Sequence, residues 1–490
     1  MASQLPILQV LPALLAAPLC AVLPRRWAWA LTAAVSVFCA YVALSLLQQT
    51  LIGGPISYAL GGWAPPVGIE YRVDVLNAIV LVIVACIGAL LMLFAHGSVA
   101  QEIEEEKQSL FYCLHLLNFA GLLGMAVTGD LFNLFVFLEI SSLSTYALIA
   151  LGPNRRALVA SYQYLIVGTT GATFYVIGVG LLYMMTGSLN MIDVADRLPQ
   201  VADTSTVRTA IAFLVVGLGI KLGMFPLHFW LPNAYAYAPS IISAFLAATA
   251  TKVAIYALIR VLFTVFGAQE FEESFLAPLM LALGIAAMFL ASAAAIFQDN
   301  VKRLLAYSSV GQVGYILLGI AVISIAGLTA SLLHVFNHAL MKGAIFMAMA
   351  GVFYRIGSVR LGDMAGLGQA MPWTMAAFML AGFSLIGVPL TAGFVSKWYL
   401  VQAVLEAGHL WLAIAILFSS LLAALYIWRV AEVAYMRPRP DGAATIREAP
   451  LSLLIPTWVL VAGNIGFGVL GDISAPVAQA AATALLGGGS

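Results

Sequence analysis

Long runs of apolar residues follow one another along nearly the whole chain, separated by short polar or Pro/Gly segments. A helix needs about 20 apolar residues, at about 1.5 Å each, to cross a hydrocarbon core of about 30 Å. The pattern therefore predicts an all-α polytopic membrane protein with about fourteen transmembrane helices. These predicted spans lie near residues 6–24, 28–48, 74–96, 109–128, 131–152, 161–186, 207–226, 239–266, 274–297, 304–322, 326–354, 372–404, 409–436 and 450–470.

The composition agrees with a chain that lies mostly in lipid. Of the 490 residues, 63% are hydrophobic and 9% are charged, whereas a soluble domain carries about 25% charged residues. This excludes a soluble protein, a nucleic-acid-binding protein and a disordered chain. The four cysteines have no paired spacing and the sequence contains no phosphate-binding loop, so we expect no cofactor, no metal and no enzymatic activity of the chain itself.

The loops between the predicted spans share the basic residues unevenly. Loops after odd-numbered spans hold twelve lysines and arginines, and loops after even-numbered spans hold three. Because basic loops stay in the cytoplasm, this predicts a multi-pass protein of the plasma (inner) membrane with both termini outside. No basic residue precedes the first apolar run, so we expect a retained span rather than a cleaved signal peptide. The twelve are Arg25, Arg26, Lys107, Arg155, Arg156, Lys302, Arg303, Arg355, Arg360, Arg437, Arg439 and Arg447, and the three are Arg72, Arg197 and Arg208.

Proline and glycine interrupt two of the predicted spans. Pro226 and Pro232 end the seventh span, because proline removes a helical hydrogen bond and clashes with the preceding turn. Gly387 and Pro389 divide the twelfth span in the same way. Discontinuous helices at membrane depth are typical of segments that line a polar path.

Similar fragments indicate a repeated unit. Phe225–Leu227 resembles Val388–Leu390, 163 residues later, and Gly171–Phe174 resembles Gly343–Phe346, 172 residues later. Spans 4–8 and 9–13 are therefore predicted to be two five-helix repeats, and their odd number of spans inverts the second copy. The predicted units are 1–106 with spans 1–3, 107–267 and 268–436 with one repeat and one proton half-channel each, and 437–490 with the last span and a tail.

Five ionisable residues lie inside apolar runs: Glu139, Lys221, Lys252, Lys342 and Lys397. Each costs about 2.5–3.5 kcal/mol at the centre of a membrane helix, so we expect them to converge on the interior of the bundle. Burial disfavours the charged form of each group and a partner's opposite charge favours it. Changing the distance within a pair therefore moves a proton, which predicts proton transfer along these residues.

Two histidines extend this set. His334, His338 and Lys342 follow one another at four-residue steps, so they form one polar stripe along the eleventh span. Histidine suits a proton relay because it titrates near neutral pH. Three structural alternatives stay open: a static ion pair of Glu139 with Lys221, histidines that only join helices by hydrogen bonds, and a Lys397 that extends to the membrane surface. The charge run at residues 102–107 predicts a solvated loop.

Three motifs carry a resemblance to a known superfamily. They are TGDLFNLFVFLE at Thr128–Glu139, KLGMFPLHFWLP at Lys221–Pro232 and HALMKGAIF at His338–Phe346. With them, the chain resembles the antiporter-like subunits shared by Mrp cation/proton antiporters, respiratory complex I and membrane-bound hydrogenases. The resemblance covers spans 3–13.

The resemblance implies a role for individual residues. Glu139 and Lys221 match the coupled pair of the superfamily, Lys252 matches the residue that carries the proton onward, and Lys397 matches the end of the path. The length and the loop at residues 61–70 look most like the D-type subunit of the Mrp antiporters. Complex I relatives commonly have an acidic residue at the Asn233 position and a histidine at the Tyr235 position, which lowers the similarity to them.

Two functions follow from this resemblance. The first is a proton-conducting subunit of a hetero-oligomeric Mrp-type antiporter that exchanges protons for Na⁺, with K⁺ or Li⁺ as other candidate ions. The alternative is a pump subunit of a redox-driven complex of the complex I or hydrogenase type. Because the same lysines serve both, the other members of the complex distinguish the two functions.

Overall fold

A computed structural model describes residues 4–439 and 446–487 as a bundle of long helices. Thirteen helices in this part of the chain are long and apolar enough to cross a membrane. In order, they are Leu5–Val22, Arg25–Gly53, Val75–Glu102, Glu105–Val127, Leu131–Ala150, Arg156–Thr186, Ser205–Leu222, Ser240–Val265, Leu276–Ile296, Val301–Ala321, Ile325–Ile356, Leu410–Met436 and Leu451–Val469. They are spans 1–11, 13 and 14.

Span 12 consists of two shorter helices, Pro372–Ile386 and Ala392–Glu406. With this pair, the structure has the fourteen spans and the all-α fold that the apolar pattern predicts. Span 7 is also discontinuous, since a short helix, Leu231–Tyr237, follows it after a non-helical segment. Gly223 (φ +73°) and Gly387 (φ +91°) end the first halves in the left-handed conformation that favours glycine. Both predicted interruptions are therefore confirmed.

Smaller elements connect the spans. Strands β1 (Ile56–Ala59) and β2 (Glu70–Val73) form an antiparallel hairpin between spans 2 and 3, with Ile56 opposite Val73. Short helices lie at Leu60–Gly62, Met191–Arg197, Leu198–Gln200, Ala268–Glu273, Leu361–Met364 and Leu367–Ala370.

The last unit differs from the sequence prediction. A helix, Gly471–Leu486, follows span 14 where the sequence predicts a tail. It packs against span 11 and buries alanines, among them Ala478 and Ala482. Alanine allows close approach of helices but contributes little to an apolar pattern, which explains why the pattern does not predict this helix. Residues 488–490 of the predicted tail lie outside the described residues.

The two repeats share their backbone connections. In the first repeat, the Leu131 N–H donates to the Leu189 carbonyl at 2.9 Å. In the second repeat, the Val301 N–H donates to the Val359 carbonyl at 2.9 Å. Both donor and acceptor are 170 residues further along the chain. The start of the second span of each repeat is thus tied to the segment after its third span, as expected for two copies of one unit.

Odd-numbered and even-numbered loops gather at opposite ends of the bundle. A cavity at one end is lined by residues from the ends of spans 3, 5, 7, 9 and 11: Glu102, Asn154, Tyr237, Gln298 and Gly357. A smaller cavity at the other end is lined by residues from the loops after spans 2, 4 and 6 and from the end of span 8: Arg72, Thr128, Met191 and Thr264. The first end carries the twelve basic loop residues, and we call it the basic face.

A buried ion pair ties span 3 to span 8 at the opposite face. Asp74 caps the N-terminus of span 3, and its Oδ2 lies 2.5 Å from Nη2 of Arg260. Arg260 begins the π-helical end of span 8 and donates from Nε to the Tyr256 hydroxyl at 3.1 Å. Burial opposes ionisation of Asp74, but the charge and hydrogen bond of Arg260 outweigh it and hold the pKa of this carboxyl below its usual range.

We expect Asp74→Asn to destabilise the protein by about 3–5 kcal/mol, since it leaves a buried arginine without its partner while the amide still caps the helix. The measurement is the denaturation midpoint of the purified complex followed by tryptophan fluorescence. Asp203→Asn is the matched control, because its pair with Arg208 at 3.6 Å is fully solvent-exposed and contributes little to stability. Equal effects of the two variants would contradict the prediction.

The same pair predicts a pH dependence. A carboxyl with a lowered pKa stabilises the folded state above its unfolded pKa of about 4, and this contribution is lost as the pH falls. The difference in stability between wild type and Asp74→Asn should therefore be full at pH 7 and shrink below about pH 4. A difference that stays constant down to acidic pH would show that the charge of Asp74 is not its source.

Candidate functional site

Glu139 and Lys221 meet inside the first repeat. The Lys221 Nζ lies 3.9 Å from Oε1 of Glu139, and the side chains are 5% and 24% exposed. Lys221 donates to the Ser142 hydroxyl at 2.6 Å, which is shorter than its distance to the carboxylate. The rings of Tyr146 and Tyr164 lie 5.9 and 6.0 Å from the ammonium. The lysine is therefore held by a hydroxyl and two aromatic faces. The carboxylate lies just within ion-pair distance but beyond hydrogen-bond distance.

Local structure places this pair. Glu139 and Ser142 are three residues apart on span 5, so both project from one side of the helix. Lys221 lies in the last turn of span 7, where the chain leaves the helix at Gly223. Trp230 stabilises the end of span 7, because its indole N–H donates to the Ile220 carbonyl at 2.8 Å.

Lys252 is fully buried in span 8. Its ammonium donates to the Ala247 carbonyl and lies 3.4 Å from the Thr251 hydroxyl. Span 8 is kinked at Thr249 (φ −125°, ψ −57°), between the helices Ser240–Ala248 and Ala250–Ile259. In the described part of the chain no carboxylate lies within 4 Å of Lys252, so a backbone carbonyl is its main partner.

The stripe on span 11 is buried and mostly hydrogen-bonded. His334 has both ring nitrogens engaged, with Ser396 Oγ and Gln312 Oε1 each at 2.9 Å. His338 stacks on it at 6.0 Å between ring centroids. Neither ring nitrogen of His338 has a hydrogen-bond partner among the described residues. Lys342 donates to the Leu305 carbonyl at 2.8 Å and also to Ser308.

Lys397 lies at the break of span 12 and is 6% exposed. Its ammonium donates at 3.0 Å each to the carbonyls of Leu385 and Ile386 and to the Ser420 hydroxyl. The ring of Tyr315 lies 4.6 Å away. The side chain therefore points to the end of the first half-helix, where free carbonyls carry negative partial charge. It does not extend to the membrane surface.

The predicted residues form two groups. Glu139 and Lys221 are one, in the first repeat. The other runs from Lys252 along the stripe of span 11 to Lys397, since the charges of Lys252 and Lys342 act on His338, and those of Lys397 and Lys252 act on His334. Among the described residues no hydrogen bond joins Lys221 to Lys252, although spans 7 and 8 pack together. We call the second group the central row.

Sequence reasoning missed the neutral partners of the central row. Ser308, Gln312 and Tyr315 recur at helical spacing on span 10, so they share one face toward the row. Ser396 and Ser420 complete the set from spans 12 and 13. The spacing on span 10 is a usable signal, but serine and glutamine also occur in membrane helices without such a role. Ammonium, hydroxyl and imidazole groups can pass protons between neighbours, and the backbone carbonyls orient them by accepting hydrogen bonds.

The comparisons with known proteins cover nearly the whole chain. The family model described as NADH:quinone oxidoreductase/Mrp antiporter, TM, matches residues 128–423. The chain is 46% identical to NADH-quinone oxidoreductase subunit N of Desulforudis audaxviator, over 96% of this chain and 97% of that protein. It is 31% identical to the D-type subunit of the Na(+)/H(+) antiporter of Bacillus subtilis, over 90% and 88%. A chain of the Mrp complex from Dietzia sp. superposes with a TM-score of 0.91 at 26% identity, covering 100% and 98%.

Replacing Gln312 tests whether the orientation of His334 matters for the central row. In Gln312→Leu the imidazole of His334 loses its Nε2 partner, which costs about 1–3 kcal/mol for a buried group and frees the ring to turn. We expect proton movement by the assembled complex in membrane vesicles to fall about tenfold.

Thr457→Val is the matched control for Gln312→Leu. Thr457 is also a buried polar residue, on span 14, but its hydroxyl bonds only to the Leu453 carbonyl of its own helix. We expect this variant to keep wild-type proton movement. Unchanged proton movement in Gln312→Leu would show that the orientation of His334 is unimportant for transfer.

Proposed function

This chain belongs to the NADH:quinone oxidoreductase/Mrp antiporter family, and we propose that it moves protons as a membrane subunit of a multisubunit complex. The observation that carries the proposal is the position of Lys221, whose ammonium is shared between the Ser142 hydroxyl and the Glu139 carboxylate inside an apolar bundle. Two charges about 4 Å apart interact by about 4 kcal/mol at an effective dielectric constant of about 20. Doubling this distance halves the interaction, so separating the pair favours release of a proton from Lys221 and closing it favours uptake.

The central row takes the proton onward in this proposal. Lys252, His338, Lys342, His334 and Lys397 are the transfer groups, and each is buried with at most neutral partners around it. A cationic row without carboxylates resists holding several protons at once, because neighbouring like charges repel. Charging one member then favours discharge of its neighbour, and loading of Lys221 at one end with release at the other end would give the transfer its direction.

We propose a redox-driven complex as the setting. The relative named NADH-quinone oxidoreductase subunit N is 46% identical across 96% of this chain, against 31% across 90% for the Na(+)/H(+) antiporter relative. Other membrane subunits are then its partners. The electron-carrying groups belong to those partners, and electron transfer in them is coupled to this chain through its buried charges.

A second candidate is the D-type subunit of an Mrp-type Na⁺/H⁺ antiporter. The near-complete superposition on a chain of the Mrp complex, with a TM-score of 0.91, favours it. In that case proton entry drives Na⁺, or K⁺ or Li⁺, out of the cell. In both settings the basic face points to the cytoplasm and both termini lie outside, since twelve of the fifteen basic loop residues lie on that face.

Neutral replacements of the pair test the function. We expect Glu139→Gln and Lys221→Met to reduce proton movement at least about tenfold in vesicles that hold the assembled complex. Glu106→Gln, in an exposed loop, should leave it unchanged. Full activity in both site variants would contradict the proposal. Loss of the assembled complex in both would instead support the static ion pair.

The composition of the native complex distinguishes the two settings. The complex is purified in mild detergent, its subunits are identified by mass spectrometry, and its iron is measured. We expect iron–sulfur or flavin subunits to co-purify. Several small hydrophobic subunits without iron, together with proton movement that requires Na⁺, would establish the antiporter instead.

A further inference from the structure

A cavity of about 750 Å³ opens on the basic face between the two repeats. The ends of spans 3 and 11 and the start of span 10 surround it, together with the short helix after span 7. Its lining includes Glu102, Arg156, Tyr237, Asp299, Lys302 and Arg360. None of these residues belongs to the proton path proposed above.

Lys302 is the buried charge of this cavity. It lies in the first turn of span 10 and is 3% exposed. Its ammonium donates to the Ser240 hydroxyl at 2.9 Å and lies 5.4 Å from the ring of Phe353. Within the described ranges no carboxylate lies within 4 Å of it. A buried lysine with one hydroxyl partner retains protons on its ammonium that are not hydrogen-bonded.

Ser240 connects Lys302 to Glu102. The Ser240 N–H donates to Oε2 of Glu102 at 2.8 Å, and Ser98 donates to Oε1 at 2.9 Å. Both carboxylate oxygens of Glu102 are thus engaged. The sequence predicts a solvated loop at residues 102–107, and Glu102 departs from that prediction because it holds the start of span 8.

The lining is electropositive. It holds four basic residues against two acidic ones: Arg156, Lys302, Arg303 and Arg360 against Glu102 and Asp299. The oxygens of Glu102 are engaged, and Asp299 lies 3.5 Å from Arg429. A cleft lined by one sign of charge repels ions of that sign, so an alkali cation is disfavoured here. A proton, in contrast, can pass by exchange between water and a lysine.

Span 10 links the cavity to the central row. Leu305, one turn after Lys302, accepts the hydrogen bond of Lys342 through its carbonyl, and Ser308 is the second acceptor. Lys302 and Ser308 are six residues apart, which is about 9 Å along a helix. The floor of the cavity and the row therefore lie within two turns of one helix.

We propose that this cavity is the vestibule through which the central row exchanges protons with the solution at the basic face, and that Lys302 passes protons while keeping alkali cations out. The inference rests on the proposed function, since it needs a row that carries protons. It assigns a new site and a selectivity residue to that function. The substrate of the site is the proton, and Na⁺ has to use another route.

Thiol labelling tests the vestibule without any transport assay. Ser358, which lines the cavity, is replaced by cysteine in a chain whose own four cysteines are alanine. The assembled complex is labelled in vesicles with the basic face outward, and the label is measured on this chain after the subunits are separated. The reaction rates of the introduced thiol with anionic sulfonatoethyl and cationic trimethylammonioethyl methanethiosulfonate are each divided by the rate for free cysteine. We expect the anionic reagent to be about tenfold faster, and Lys302→Met to lower this ratio about threefold.

Lys107→Met is the matched control, because Lys107 is an exposed lysine of the same face outside the cavity lining. We expect it to leave the ratio unchanged. Equal rates for the two reagents, or a ratio that responds to Lys107→Met as much as to Lys302→Met, would overturn the proposal. These labelling rates do not depend on proton movement. If Lys221→Met leaves proton movement intact, the proposed function is contradicted, but the labelling result for the cavity remains valid.

Chemical rescue tests Lys302 itself. We expect Lys302→Cys to lower proton movement about tenfold. Aminoethyl methanethiosulfonate restores an ammonium at this position and should recover most of the movement, whereas the neutral methyl reagent should not. A purely structural role predicts the same result with both reagents. Full activity of Lys302→Cys before treatment, or equal rescue by both reagents, would overturn the proposal.

Discussion

Three buried lysines of the central row have no carboxylate within 4 Å in the part of the chain that the structure describes. Lys252 uses the carbonyl of Ala247, Lys342 that of Leu305, and Lys397 two carbonyls at the end of a half-helix. Carbonyl oxygens stabilise an ammonium less than a carboxylate does, so in the proposed function these lysines can release a proton. Two of the three carbonyl sites coincide with irregular geometry, because the kink at Thr249 and the break after Ile386 free carbonyls that a continuous helix would use itself. Leu305, in contrast, lies within a continuous helix.

The sequence predicts the parts of this arrangement where a proline, a glycine or a charged residue interrupts an apolar run. The break of span 12 is predicted because Gly387 and Pro389 interrupt an apolar run, and Lys397 is predicted because a charge there is costly. The kink at Thr249 has no such mark, as no proline or glycine lies beside it. Gln312 was missed for a similar reason: which face of span 10 meets His334 depends on the rotation of the helix, and the apolar pattern does not specify it.

The two ends of the bundle differ in how tightly they are closed. At the opposite face, Asp74 and Arg260 form a short buried ion pair, and Glu70 of β2 accepts from Asn190 at 2.8 Å. The hairpin is thus bonded to the segment after span 6 and, through the Gly129 N–H on the Glu70 carbonyl, to the segment after span 4. At the basic face, Lys302 has a single hydroxyl partner beside a large cavity. The proposed function needs a protein without an open path through both ends, and a closed end opposite an open one meets that need.

Glu139 is the least enclosed of the functional side chains. It is 24% exposed, whereas its partner Lys221 is 5% exposed, and its Oε1 has no hydrogen-bond donor in the described chain. The unpartnered Oε1 is buried toward Lys221, while the exposed part of the side chain is open to contact from outside the chain. Because the charge of Lys221 depends in turn on Glu139, a change outside the chain reaches the buried lysine through a single interaction. In the proposed function, the partly exposed member of the pair is thus the point at which a neighbouring subunit would act on proton transfer.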